Sequence, residues 1–318
     1  MLVRTCELLD EAPLVIDVEG VGRYTLMWTP TEAWTSTEEA ANAGAGKVEG
    51  PCDANHPDGL AAGFIPADGW LGEGTPSAAL ELAAGFAFSE GLFDRMDELV
   101  SLSRCPQTPD VVRVVLVEAA RRRAHPALRT VNSSCGVCGA DRLPEAGAAK
   151  ERLGARTPML SLPALHGLAQ AMQDRQHLWR RTGAAHAALL FDAQGEVLAF
   201  AEDLGRHNAL DKAIGRCLLA GRSPVGGGVI LSSRCSYEML AKAARAGLGV
   251  VAAVSAPSAL AVRMAHEHGI TLCGFVRDAQ ATIYTHPGRI GPGNPGAAQA
   301  RSATRDARTG SGRAPLPA

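Results

Sequence analysis

From Ala187 onward, short apolar runs of strand-forming residues alternate with amphipathic stretches of helical length, and this alternation constrains the fold more than any other feature of the chain. Residues 188–191 and 197–200 flank a turn at 193–195. Residues 208–219 read as a helix, 229–231 as a buried strand, and 237–246 as a helix stopped by Gly247. A strand at 250–254, a helix at 258–266 before Gly269, and strands at 270–276 and 282–285 continue the pattern. Strands joined through helices bury a sheet on both faces, so the expected class is a layered α/β domain. In an open sheet of that kind, ligands collect beyond the carboxyl ends of the strands.

The first half reads differently. Residues 14–18 and 24–27 form a hairpin signal around Gly20 and Gly22. Residues 77–91 read as a helix, 110–117 as a strand and 161–179 as an amphipathic helix. The expected organisation is a smaller N-terminal α+β domain over 1–130 with a loop insertion near 31–75, and an α/β domain over 131–290. A Gly-, Pro- and Arg-rich tail over 291–318 has too few apolar residues to fold and is expected to be disordered. Cys52, Asp53, His56 and Asp58 in the insertion read as a polar surface loop rather than a metal cluster. The basic run Arg121, Arg122, Arg123, His125 and Arg129 reads first as a solvated face, and second as an anion-binding or docking segment.

Of the 318 residues 46% are hydrophobic and 20% charged, enough for a core, and the formal net charge is -2. With no basic excess and only 4% aromatics, no nucleic-acid partner is expected. No window approaches the roughly 20 apolar residues of a membrane span, and no signal-peptide pattern follows Met1. A cytoplasmic protein without a membrane partner is expected, and its eight cysteines are then reduced rather than paired.

Only Cys135 and Cys138 lie close together, within Val131-Asn-Ser-Ser-Cys-Gly-Val-Cys-Gly139. The glycines mark a loop. Two thiols so spaced form a reversible disulfide, ligate a metal, or carry sulfur on one thiol while the other resolves. A four-thiolate zinc site needs a second such pair, which the sequence lacks. A zinc deaminase needs His-x-Glu and a proline before the first cysteine; Ser134 stands there instead. A thioredoxin-like loop opens a helix, and Pro144 would break that helix early. No metal is expected, and what remains is a loop carrying one or two nucleophilic thiols.

Three junctions of the α/β region also attract attention. Glu202-Asp-Leu-Gly-Arg-His-Asn-Ala-Leu-Asp-Lys212 crowds polar and ionisable groups where a strand meets a helix. Free amides at a helix start bind anions, and Arg206 and His207 would add to that; capping with surface ion pairs is the plainer reading. Ser232-Ser-Arg-Cys-Ser236 and Ser255-Ala-Pro-Ser258 offer hydroxyl caps at two further helix starts. Together the three suggest a phosphate-rich ligand.

These segments resemble the formate dehydrogenase accessory sulfurtransferase family, FdhD. The resemblance runs through Ser133-Ser-Cys-Gly-Val-Cys-Gly139, the 202–212 run, Ser233-Arg-Cys-Ser-Tyr-Glu238, Lys242-Ala-Ala-Arg-Ala-Gly247, Val254-Ser-Ala-Pro-Ser258 and Tyr284-Thr-His-Pro287. It implies a cytidine-deaminase-like α/β domain behind a smaller N-terminal domain. It implies a sulfurtransferase that accepts sulfur from a cysteine desulfurase and passes it to the molybdenum of bis-molybdopterin guanine dinucleotide, the molybdenum cofactor of formate dehydrogenase. Cys135 matches the family's persulfide cysteine, and Cys138 its partner. Phe275, Val276, Arg277, Asp278, Ala279 and Gln280 align with the cofactor-binding segment, and Arg206, His207 and Ser255 are expected at the same site. A homodimer is expected. Residues 31–75 and 291–318 depart from the family pattern. A non-catalytic cofactor carrier with structural thiols is the alternative.

Overall fold

A computed structural model describes residues 7–30, 63–64, 77–104, 107–124, 160–277 and 280–291. Strands β1 (Ala12–Val18) and β2 (Gly22–Trp28) form the expected antiparallel hairpin, turned at Gly20 with φ 70°. Their alternation turns Leu14, Ile16, Val18, Tyr24, Leu26 and Trp28 inward. Strand β3 (Gly63–Phe64) lies inside the stretch expected to be loop. It pairs with β4 (Leu99–Arg104), which has no counterpart among the expected elements. The register of β4 shifts between Leu99 and Ser101, and that bulge breaks the period-two signal a strand leaves in sequence. With β5 (Val111–Leu116) the first sheet runs β2-β1-β5-β4-β3.

Helix α1 (Ala78–Ser89) is the predicted apolar helix, and α2 (Glu118–Arg123) carries the arginine run. Arg121 pairs with Glu19 and Glu118, Arg122 with Glu118, and Arg123 with Glu98. These carboxylates neutralise the run, which makes it the solvated ion-pair face; His125 and Arg129 lie outside the described residues.

After the short strand β6 (Leu160–Ser161) comes α3 (Leu162–Arg175), capped by Ser161. The single helix expected over 161–179 is broken at Gln176, whose ψ is 73°. A second helix, α4 (His177–Thr182), restarts because Glu202 accepts from the amides of Leu178 and Trp179, each at 3.0 Å.

The second sheet contains β7 (His186–Phe191), β8 (Val197–Asp203), β9 (Gly228–Leu231), β10 (Val250–Ala253), β11 (Thr271–Arg277) and β12 (Gln280–Ile283). Its order is β12-β11-β10-β9-β7-β8. The connecting helices are α5 (Arg206–Leu219), α6 (Tyr237–Arg245) and α7 (Ala259–His268), and β13 (Ile290–Gly291) pairs with β6. Helix α3 covers one face, burying Leu165, Leu168 and Met172 against Leu189, Ile230 and Ala252. The other face shares one core with α5–α7, α1 and the first sheet. The fold is therefore layered α/β.

The two sheets are locked together through α1 and α5. A Cβ on Gly85 would stand 1.8 Å from the Asp211 carbonyl oxygen, and one on Gly215 would stand 1.8 Å from that of Glu81. The helices thus cross in backbone contact, which glycine alone permits. Arg216 holds Glu81 through Nε at 2.7 Å and Nη2 at 2.8 Å, and Lys242 bridges Asp211 at 2.9 Å and Glu90 at 3.1 Å. Among the described residues, no helix is long and apolar enough to cross a membrane.

Candidate functional site at the carboxyl edge of the second sheet

Strand β7 runs antiparallel to both β8 and β9, and β9, β10 and β11 are parallel. The ends of β8, β9, β10 and β11 therefore fall on one edge, together with the starts of β7 and β12. Helices α5, α6 and α7 all begin there. Arg206, His207, Ser255, Phe275, Val276, Arg277 and Gln280 come together on this edge. Asp278, Ala279, Cys135 and Cys138 lie outside the described residues.

Short backbone bonds stitch the edge loops. Cys235 donates its amide to Ala256 O at 3.3 Å and accepts from the Ser258 amide at 3.0 Å. The Phe275 amide donates to Ser255 O at 3.3 Å. Gly274 is pressed between these loops: a Cβ there would come within 2.9 Å of Pro257, 3.0 Å of the Tyr284 ring and 3.2 Å of Ser255 O. The next residue, Phe275, holds φ at 54° with its ring 40% exposed. A left-handed aromatic residue costs of order 1–3 kcal/mol and is held by its surroundings. Val276 differs from its neighbours in the segment, because its side chain is fully buried in the core beneath α3.

The 202–212 run divides into two jobs. Asp203 and Lys212 form a buried pair at 2.6 Å, 0% and 1% exposed. Asp203 also accepts from the amides of Thr29 at 3.0 Å and Gly205 at 2.9 Å and from Asn208 Nδ2 at 3.1 Å. Lys212 Nζ donates to Thr29 O at 2.8 Å and lies 4.7 Å from the Trp28 ring centroid. Asn208 donates to Met27 O at 2.7 Å, and Thr29 Oγ1 accepts from the Leu204 amide at 3.0 Å. Four polar residues of the run, Glu202, Asp203, Asn208 and Lys212, thus grip the end of β2 or cap a helix. Arg206 takes no part in this. It stands in the first turn of α5, half-buried, with its Nε shielded from solvent and without a hydrogen-bond partner. His207 stands beside it.

Three residues join this site that the sequence-based list lacks: His186, Arg234 and Ser236. His186 opens β7 opposite Asp203. Burial and then the charges of Arg206 and Arg234 push its pKa below 6.5, while Asp203 acts the other way. Ser236 is the cap residue of α6, yet its Oγ makes no cap bond and is buried without a partner. Arg234 and Ser236 sit in a junction already marked by its serines. His186 leaves no signal before the antiparallel register is known. The edge thus presents two arginines, three helix starts and unsatisfied donors, a constellation suited to phosphate oxygens.

The described thiols are unsuited to chemistry. Cys217, Cys235 and Cys273 are buried, and burial pushes each pKa up to about 12. The Tyr284–Pro287 signature serves the opposite edge. Thr285 Oγ1 accepts from the Leu272 amide at 3.0 Å and donates to Ile270 O at 2.7 Å, and Thr271 Oγ1 donates to His286 O at 2.9 Å.

Comparison with known proteins agrees with the motifs. A family model described as the FdhD/NarQ family matches residues 74–291. The chain is 40% identical over 219 residues to the sulfur carrier protein FdhD of Bordetella petrii, covering 68% of this chain and 78% of that one. It is 37% identical over 217 residues to the namesake from Sulfurisphaera tokodaii, covering 68% and 82%. A crystal structure of a candidate formate dehydrogenase accessory protein from Desulfotalea psychrophila has the same fold, with a TM-score of 0.58 at 20% identity over 89% of this chain and 90% of that one. On the family match and these relatives, the chain belongs to the FdhD/NarQ family.

Proposed function

We propose that this protein is a sulfur carrier that holds sulfur as a persulfide on Cys135 and passes it to the molybdenum of bis-molybdopterin guanine dinucleotide for formate dehydrogenase. The observation that carries the binding half of this reading is the carboxyl edge, where the Arg206 Nε is buried without a partner. Such a donor is costly to leave unmade and is satisfied by a phosphate oxygen. Arg206, Arg234 and the free amides at the starts of α5–α7 would hold the phosphates of the guanine nucleotide. The exposed ring of Phe275 would stack on the base, with Arg277 and Gln280 beside it. Family membership and the Cys135/Cys138 spacing support the chemical half.

Sulfur uptake follows from thiolate chemistry. The Cys135 thiolate attacks the terminal sulfur of a donor persulfide on a cysteine desulfurase. A new S–S bond forms on Cys135, and the donor cysteine leaves as thiolate. For release, the Cys138 thiolate attacks Cys135 Sγ, a Cys135–Cys138 disulfide forms, and hydrosulfide departs to the bound substrate. The dithiol thus supplies the two electrons that turn sulfane sulfur into sulfide, and an external thiol restores it.

The same proposal includes a homodimeric, cytoplasmic protein divided near residue 130. It also includes a cytidine-deaminase-like class for the second sheet, supported by helices on both of its faces. Mass spectrometry after incubation with a desulfurase and cysteine tests the chemistry. One added sulfur on the Cys135 peptide, lost in Cys135→Ala together with activation of formate dehydrogenase, is expected; an unmodified peptide would make the protein a non-catalytic carrier. Calorimetry with GDP tests the edge. A charge-assisted contact is worth roughly 1.5–3 kcal/mol, so Arg206→Ala and Arg277→Ala should each weaken GDP binding about tenfold or more. Unchanged affinity in both would place the nucleotide elsewhere.

A further inference from the structure

The proposed function leaves the Tyr284-Thr-His-Pro287 motif without a chemical role, although the fold holds its histidine in a costly conformation. His286 has φ 47° and ψ 59° and precedes Pro287. A residue before proline prefers extended backbone, and non-glycine residues seldom take a positive φ. Such strain is of order 1–3 kcal/mol and persists only where the surroundings over-determine it. They do so here. Besides the bonds of Thr285 and Thr271, Arg289 Nη1 donates to Gly269 O at 2.6 Å and to Thr271 Oγ1 at 3.2 Å. The loop is thus pinned to β11 and to the end of α7 on both sides of His286.

The ring of His286 is fixed as well. Its Nε2 lies 3.0 Å from the His266 carbonyl oxygen. A carbonyl only accepts, so Nε2 carries the proton, and Nδ1 of the neutral ring keeps its lone pair. Metal-bound imidazoles are held in the same way, with the other N–H on a backbone carbonyl. The ring of His266 lies beside it, with centroids 5.4 Å apart and planes 25° apart. Two imidazoles on one tetrahedral ion, each with its nitrogen about 2.0–2.1 Å from the metal, have ring centres roughly 5 Å apart. His266 is exposed, and its ring makes no hydrogen bond or ion pair among the described residues, so it can turn a nitrogen toward the same point. His266 stands in the last turn of α7, where the carbonyl end of the helix favours a cation.

We propose that His266 and His286 form a binding site for a divalent transition ion of the class that prefers imidazole, such as Zn²⁺, Ni²⁺ or Cu²⁺. Among the described residues no further His, Cys, Asp or Glu completes a three-ligand group with them. Water would fill the remaining positions, which makes the ion exchangeable, unlike a closed structural centre with four protein ligands. Mg²⁺ and Ca²⁺ demand oxygen ligands and do not suit the pair. The site lies at the opposite edge of the sheet from the anion-binding junctions and stands or falls independently of them.

The test uses the full chain carrying Cys135→Ser and Cys138→Ser, so that those thiols do not compete for metal, and Ni²⁺ as the probe. Calorimetry at slightly alkaline pH should show one saturable site per chain. His266→Ala removes an exposed side chain, and His286→Asn substitutes a residue that tolerates left-handed backbone, so both variants keep the fold. Each should weaken Ni²⁺ binding by about 10–100-fold or more, since loss of a partner that merely supports a ligand already costs that much. Ni²⁺ below stoichiometry should also broaden the ring resonances of His266 and His286 before those of the other histidines. Absence of saturable binding to the parent, unchanged affinity in either variant, or broadening that begins at another histidine overturns the proposal.

Discussion

Replacing Lys212 with methionine tests whether the most specific motif of this chain holds the molecule together. Methionine fills much of the lysine stem, so the cavity contribution is small. What is lost is the ammonium 2.6 Å from Asp203, in a pair that solvent barely reaches. Removing one partner of a buried pair costs about 3–5 kcal/mol, because the other charge stays buried. Asp203 keeps donors from Thr29, Gly205 and Asn208, which places the cost near the low end. Thr29 O also loses its Nζ donor at 2.8 Å, adding about 1 kcal/mol. The sum is about 4 kcal/mol, a large part of a typical total of about 5–15 kcal/mol. Urea denaturation followed by circular dichroism measures it. Asp203→Asn combined with Lys212→Met should cost less than the two singles added, by about 0.5–3 kcal/mol. A single-variant cost below about 1 kcal/mol, or strict additivity, would refute the clamp.

Gly215→Ala should destabilise the protein by about 1–3 kcal/mol or more, because its Cβ must displace the Glu81 carbonyl oxygen; a thermal melt that matches the parent's would contradict the backbone contact of α1 and α5. The lowered pKa of His186 means that the unfolded chain binds more protons between that value and 6.5. Its contribution to stability is therefore complete above 6.5 and is lost as pH falls through the folded pKa. GDP bound by Arg206 and Arg234 would offset their charge, so saturation should raise the His186 pKa toward 6.5 in an NMR titration; a pKa that stays put would separate the phosphates from these arginines. Iodoacetamide at pH 8 should leave Cys217, Cys235 and Cys273 unmodified in the folded protein, since each thiol is pushed up to about 12. Peptide mapping that found any of them alkylated before unfolding would count against that burial.

The layered α/β class was readable from sequence because β7–β11 and the intervening helices leave strong local signals. Strands covered on both faces are short apolar runs, and Gly247 and Gly269, both with positive φ, stop two helices where expected. The convergence of Arg206 and Ser255 followed from the strand-end rule, and Arg277 joined them through the family resemblance. Two-residue β3 and bulged β4 were not readable, since neither carries a full period of alternation. Within the 202–212 run, residue types alone did not separate Arg206, which keeps an unpaired donor, from Asp203, Asn208 and Lys212, which grip the end of β2. Their partners, Met27 and Thr29, lie 174 to 183 positions away, and no local pattern encodes a contact of that length. His186 enters the site for the same reason: only the antiparallel pairing of β7 with β8 brings it opposite Asp203 and within reach of two arginines. Local periodicity determined the elements and their order, while charges buried between distant segments decided which polar residues became structure and which stayed available for a ligand.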